Sequence, residues 1–143
     1  AQVLNLLEDL KARYGLTLIF IAHDLAVVKN VSDRIAVMYL GMLCEVAPSD
    51  DLYSRPLHPY TKVLLDAIPV PNPHVALSHQ DIVGEPPSPV FPPSGCRFHT
   101  RCPHADERCA SEEPELRELA DRHFVACHHP LEQPVTVAPS QSV

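Results

Sequence analysis

Cys96, Cys102, Cys109 and Cys127 stand in the order C-x5-C-x6-C-x17-C, and the first three fall inside the stretch "CRFHTRCPHADERC". Four thiols in a charged, Pro-flanked segment are too many for an ordinary core, so their chemistry is the first question. Structural zinc sites use tight knuckles, with two to four residues between cysteines, and this spacing matches them poorly. Disulfides would allow three pairings, but the chain otherwise looks cytosolic, and reducing compartments disfavour them. Four thiolates carried on loops can also hold a cubane iron–sulfur cluster without help from histidine. From the residues alone, all three remain open. His99, His104, His123, His128 and His129 are spare ligands, or donors that hydrogen-bond to ligands from outside. Cys44 lies in an apolar run away from the group and reads as a small buried hydrophobe.

A second candidate is His23, which follows "LTLIFIA". Residues Leu16–Ala22 form a nearly continuous apolar run, the pattern of a strand buried on both faces of a parallel sheet. In such sheets ligands sit beyond the carboxyl ends of the strands, and His23 falls there. On position alone, a structural histidine is the commoner outcome. Asp24 reads as the cap of the next helix rather than as a metal ligand.

The elements that would position these residues have a clear order. "AQVLNLLEDLKARYG" predicts an amphipathic helix with Val3, Leu4, Leu6, Leu7, Leu10 and Tyr14 on its apolar face and Gly15 as its stop. After the buried strand comes a helix over Asp24–Asn30, which gives α/β punctuation. Ile35–Leu40 and Leu43–Ala47 then predict a hairpin turning at Gly41-Met42. Pro48 ends it, and Ser49 is placed to cap a short helix through Leu52. Pro59 fits the first position of a further helix, with Tyr60, Val63, Leu64 and Ala67 on one face and Pro69 as its end. Eight of the 16 prolines fall within residues 69–95, which predicts an extended, polyproline-like connector. The polar residues after Pro130 predict a disordered tail.

Charge and hydropathy exclude other classes. The formal net charge is −7, so there is no basic face to neutralise phosphates, which argues against nucleic acid as a partner. No apolar run reaches the roughly 18 residues that a membrane span requires. The chain opens at Ala1 inside a helical pattern with no capping residue before it. It therefore reads as the C-terminal part of something longer.

Taken together, "LIFIAHDLAVVKNVSDRIAVMYLGMLCEVAPSDDLYSRPLHPYTKVLLDAIP", the Pro-rich connector and the cysteine segment resemble the C-terminal end of the ATP-binding subunit of an ABC importer. The resemblance is to the oligopeptide/dipeptide (and nickel) group, and it covers about residues 1–130. It implies an α/β fold: the C-terminal part of a P-loop (RecA-like) ABC ATPase domain over residues 1–56, then a small, loop-rich, metal-stapled extension over 57–130. Residues 131–143 would be the tail. His23 would be the switch histidine that contacts the ATP γ-phosphate, an apt role for an imidazole N–H donor near developing charge.

The resemblance also bears on the cysteines. Cys96, Cys102, Cys109 and Cys127 match the residues that carry a 4Fe-4S cluster in that group, with zinc as the lesser alternative. Such a centre would staple a segment that buries too little apolar surface to fold alone. ATP and Mg2+ would be bound by the complete subunit. This chain contains no G-x-x-x-x-G-K-S/T phosphate cradle, and it lacks the signature motif and the magnesium-binding acidic strand, so by itself it is expected to be inactive. The implied partners are a second, homologous ATP-binding subunit, transmembrane permease subunits and, indirectly, a peptide-binding protein; the subunit itself would be peripheral, at the cytoplasmic face of the membrane. The alternative is a non-catalytic, metal-binding interaction or regulatory module.

Overall fold

In the computed structural model the described residues are 2–68 and 84–131. Helix α1 (Gln2–Tyr14) and helix α2 (Leu25–Val31) come first, then strands β1 (Arg34–Tyr39) and β2 (Met42–Pro48). Helices α3 (Ser49–Ser54) and α4 (Pro59–Asp66) follow. After residue 84 the chain forms a 3-10 turn at His99–Arg101, helix α5 (Glu107–Ser111), and strands β3 (Arg117–Ala120) and β4 (His123–Val125). The fold is α/β, with one antiparallel four-stranded sheet in the order β1-β2-β4-β3. Of the extended connector expected over 69–95, residues 84–95 carry no helix or strand and residues 69–83 lie outside the described residues, as do residues 132–143 of the tail expected over 131–143.

The hairpin forms because its sequence alternates. In "RIAVMY" every second residue is buried, which puts Ile35, Val37 and Tyr39 on the core face. Tyr39 pairs with Met42, so the turn residues are Leu40 and Gly41, one position earlier than the sequence pattern indicated. Both have positive φ, 46° and 81°, the backbone that matches a two-residue turn to the twist of its strands. Ser49 is also displaced from its expected role. It is the first helical residue of α3, and its hydroxyl donates to the Lys29 carbonyl at 3.3 Å instead of capping.

The buried strand expected over Leu16–Ala22 does not form. That segment carries no strand, and Ile19 and Ile21 are 92% and 95% exposed. A strand buried on both faces needs neighbours that accept and donate along both edges, and no described strand lies beside it. The apolar face of α1 is likewise uncovered: none of its residues is buried. Asp24 does cap α2, its Oδ1 accepting from the Ala26 N–H at 2.8 Å.

The core lies between the hairpin and the cysteine segment. Ile35, Val37, Tyr39, Cys44, Ala47, Leu52 and Phe98 are buried together. Three aromatic rings join chain segments far apart in sequence. Tyr39 meets Tyr60 edge-on at 4.8 Å and Phe98 at 5.2 Å, and Tyr60 meets Phe98 at 5.2 Å.

Candidate functional site

Cys96, Cys102, Cys109 and Cys127 reach one locality by four different routes. Cys96 and Cys102 flank Phe98 and the 3-10 turn, and both pack against the hairpin core. Arg97, between them, donates to the Leu40 carbonyl at the hairpin turn. Cys109 sits on α5, whose first turn is capped by Asp106: Oδ1 accepts the Cys109 N–H at 2.9 Å. Cys127 follows β4, which pairs with β2 through Glu45↔Val125 and Val46↔Phe124.

The segments are locked by close backbone approach. The Cys96 N–H donates to the Cys109 carbonyl at 2.8 Å. Gly95, with φ 65°, comes so near that a Cβ there would lie 2.4 Å from that same carbonyl oxygen. Only a residue without a side chain fits.

The four thiols lie within electrostatic reach of one another. Burial pushes Cys127 up to about 12, the His129 N–H pulls it back, and Cys96, Cys102 and Cys109 add to the rise. Burial also raises Cys96 and Cys102. The N–H groups of Phe98 and His99 oppose the shift at Cys96, and the His104 N–H opposes it at Cys102. Backbone donors aimed at sulfur stabilise thiolates and tune metal–thiolate centres.

Sulfur spacing discriminates between metals. Zinc–sulfur bonds of about 2.3 Å put tetrahedral ligands roughly 3.8 Å apart. Among the described residues, the trio gathered within 4.8 Å is Asp106, Cys109 and His129, not three cysteines. The four thiols are half-buried to buried, and no three of them come within that distance of one another among the described residues.

Cys44 was expected to stand apart, and it does not. It is buried in β2, as a small hydrophobe would be, but Cys96 and Cys127 both act on it. Burial first, then those thiols, push it to about 12. The cause is topological: β2 lies beside β4, so Cys44 and the segment ending in Cys127 run side by side, and the Ala126 N–H donates to the Cys44 carbonyl at 2.9 Å.

Sequence reasoning missed the polar centre that holds these pieces in register. Glu45 is fully buried in β2. Its Oε1 accepts from the Leu57 N–H at 2.8 Å, and its Oε2 accepts from the His58 N–H at 3.0 Å. His123 of β4 completes the set. His58 caps α4, its Nδ1 accepting the Tyr60 N–H at 3.0 Å. Burial lowers His58 to about 4, with the Ala126 carbonyl opposing the shift. In "HPYT" the histidine therefore caps, the proline opens the helix, the tyrosine packs edge-on into the aromatic cluster and Thr61 is buried.

His23 is exposed, in the bend between α1 and α2, directly before the Asp24 cap. It is thus separate from the cysteine group in its structural setting, and the strand meant to present it is not formed.

Helix α4, the aromatic cluster and the cysteine segment lie in or beside residues 44–109, which match the family described as the oligopeptide/dipeptide transporter, C-terminal region. Residues 44–109 are thus similar to the C-terminal region of that transporter class. Over most of its length it is similar to a Brucella ovis protein named as a peptide import ATP-binding protein, with 56% identity over 127 residues, 89% of this chain and 40% of that protein. It is also similar to two Bacillus subtilis proteins named for oligopeptide transport and ATP binding. YkfD is 55% identical over 130 residues and AppF 51% over 130, each match covering 90% of this chain and 40% of the relative. The resemblance drawn from the sequence is borne out. The chain spans about 40% of the length of these curated relatives.

Proposed function

We propose that this chain is the C-terminal portion of an energy-coupling, ATP-binding subunit of an ABC importer for short peptides. The observation that carries the reading is the match of residues 44–109 to the peptide-transporter C-terminal region, set within more than 50% identity to peptide-import ATP-binding proteins. In this role residues 1–56 complete a P-loop (RecA-like) nucleotide-binding domain supplied with its phosphate cradle from preceding sequence, and residues 57–130 form the extension. The exposed apolar residues of α1 and of 16–22, Ile19 and Ile21 foremost, support this, because they are the surface such a domain would cover.

ATP and Mg2+ supply the phosphoryl-transfer chemistry when bound. His23 would then stand at the nucleotide, its imidazole N–H directed to the γ-phosphate, with Asp24 fixing the helix start behind it. The subunit would pair with a second ATP-binding subunit and dock on permease subunits at the cytoplasmic face of the membrane, receiving peptide through a separate binding protein. No helix among the described residues is long and apolar enough to cross a membrane, which suits a peripheral subunit. The test is His23→Ala in the subunit that carries its phosphate cradle. ATP turnover should fall by orders of magnitude while nucleotide binding persists, and unchanged turnover would remove His23 from the mechanism.

Cys96, Cys102, Cys109 and Cys127 would hold a 4Fe-4S cluster, supported by their mutual electrostatic reach and by the backbone N–H groups that favour their thiolates. Such a cluster supplies four strong bonds converging on one point. The protein's part is to gather α5, the 3-10 turn and the end of β4 around it.

A further inference from the structure

We propose that Tyr53 is a positioning residue for His23: it fixes the start of α2, and through it the imidazole that stands directly before that helix. The inference rests on the reading that places His23 at the nucleotide. It adds to that site a residue from the border of the extension.

Helix α2 has little of its own to hold it. It is seven residues long and none of them is buried, and so short a helix does not persist without outside contacts. Val28 packs against the hairpin core, and the directed contacts come from α3. Ser49 and Tyr53 stand one helical turn apart on α3 and so share a face. The Tyr53 hydroxyl donates to the Leu25 carbonyl in the first turn of α2. The Ser49 hydroxyl reaches the Lys29 carbonyl in the last turn, where helical carbonyls lack partners of their own. One face of α3 thus holds α2 at both ends. Helix α3 can bear this because Leu52 is fully buried in the core and the Ser49 N–H donates to the Asp33 carbonyl at 3.0 Å.

The phenol also lies close to the cap. Lys29 Nζ sits 5.2 Å from the centre of the Tyr53 ring. Burial first, then the Asp24 carboxylate, raises the Tyr53 hydroxyl above its ordinary range, and the Lys29 N–H opposes the shift. The hydroxyl therefore keeps its proton and stays a donor. Asp24 in turn holds the Ala26 N–H at 2.8 Å, and His23 is the residue before it. Removing the hydroxyl frees the first turn of α2 while leaving the ring, its packing and the Lys29 contact in place.

The experiment measures ATP turnover of the complete subunit, phosphate cradle included, as parent, Tyr53→Phe, His23→Ala and the double variant. Tyr53→Phe is expected to lower kcat about tenfold with KM for ATP unchanged, since a displaced group costs rate rather than uniform binding. In the His23→Ala background the same change should have no further effect, because the two residues act as a unit. An unchanged kcat in Tyr53→Phe, or the same loss in both backgrounds, would overturn the positioning role; the second result would assign the loss to the fold at large. Parent turnover in His23→Ala would remove His23 and Tyr53 together. A rate that depends on His23 but not on the Tyr53 hydroxyl would remove Tyr53 alone. Amide exchange at Ala26 reads the start of α2 without reference to turnover. It should quicken in Tyr53→Phe, and unaltered exchange would also overturn the proposal.

Discussion

Glu45 Oε1 and His123 Nε2 lie 2.6 Å apart, with the two side chains 0% and 1% exposed, joining residues 78 positions apart. The same side chain takes two backbone N–H groups at the entry to α4, so three segments converge on one buried carboxyl group. A buried polar group is tolerable only when its partners are in place. Glu45→Ala leaves two N–H donors and an imidazole buried without an acceptor, and is expected to cost about 3–5 kcal/mol. Urea unfolding of the two chains would measure it. A loss under about 1 kcal/mol would mean that water reaches the vacated space.

His58 gives the fold a dependence on acid. Its imidazole is buried neutral, lowered by burial to about 4, whereas an unfolded histidine titrates near 6.5. Between those values the unfolded chain binds a proton that the native one refuses. This contribution is therefore complete above about pH 6.5 and lost as pH falls toward about 4, amounting to roughly 3 kcal/mol. His58→Asn keeps an acceptor for the Tyr60 N–H but removes the titration. Unfolding free energies at about pH 7 and pH 4.5 should show a smaller drop for the variant, and parallel drops would exclude His58 as the source.

Gly95 is expected to accept no replacement. At φ 65° a side chain is strained, and its Cβ would lie 2.4 Å from the Cys109 carbonyl oxygen and 2.8 Å from the Ala110 carbonyl carbon. Both contacts are to backbone, so relief requires the Cys96 and Cys109 segments to part. Gly95→Ala should cost at least about 1–3 kcal/mol and speed amide exchange at Cys96, whose N–H otherwise bonds across that junction. Retained protection at Cys96 would show that the segments part elsewhere.

What the sequence made legible was local. Alternation revealed the hairpin, Pro59 marked the start of α4, and Asp24 announced the cap of α2, because each signal acts within a few residues. Glu45 and His123 were illegible because neither has a sequence neighbour that explains it, and their partnership exists only through the β2–β4 pairing. Strands β3 and β4 are four and three residues long, too short for a period to show. The run at 16–22 misled for the opposite reason. Its apolar pattern is unambiguous, but a pattern states what a segment can bury, and nothing described here covers it.

Cys102 separates the metal chemistry from the remaining architecture. It stands between the 3-10 turn and α5, feels Cys96 and Cys109, and is not among the hydrogen-bond partners of Glu45 or His58. A cubane held by all four cysteines should give about four irons and four sulfides per chain after anaerobic purification, with broad visible absorption. Cys102→Ser should lose that iron and absorption and raise the protease sensitivity of residues 96–131. The Tyr39–Tyr60 contact, supported by the hairpin and α4, should persist. Full iron loading of the variant would put the fourth ligand elsewhere, and Cys44, already beside Cys96 and Cys127, would be the residue to replace next.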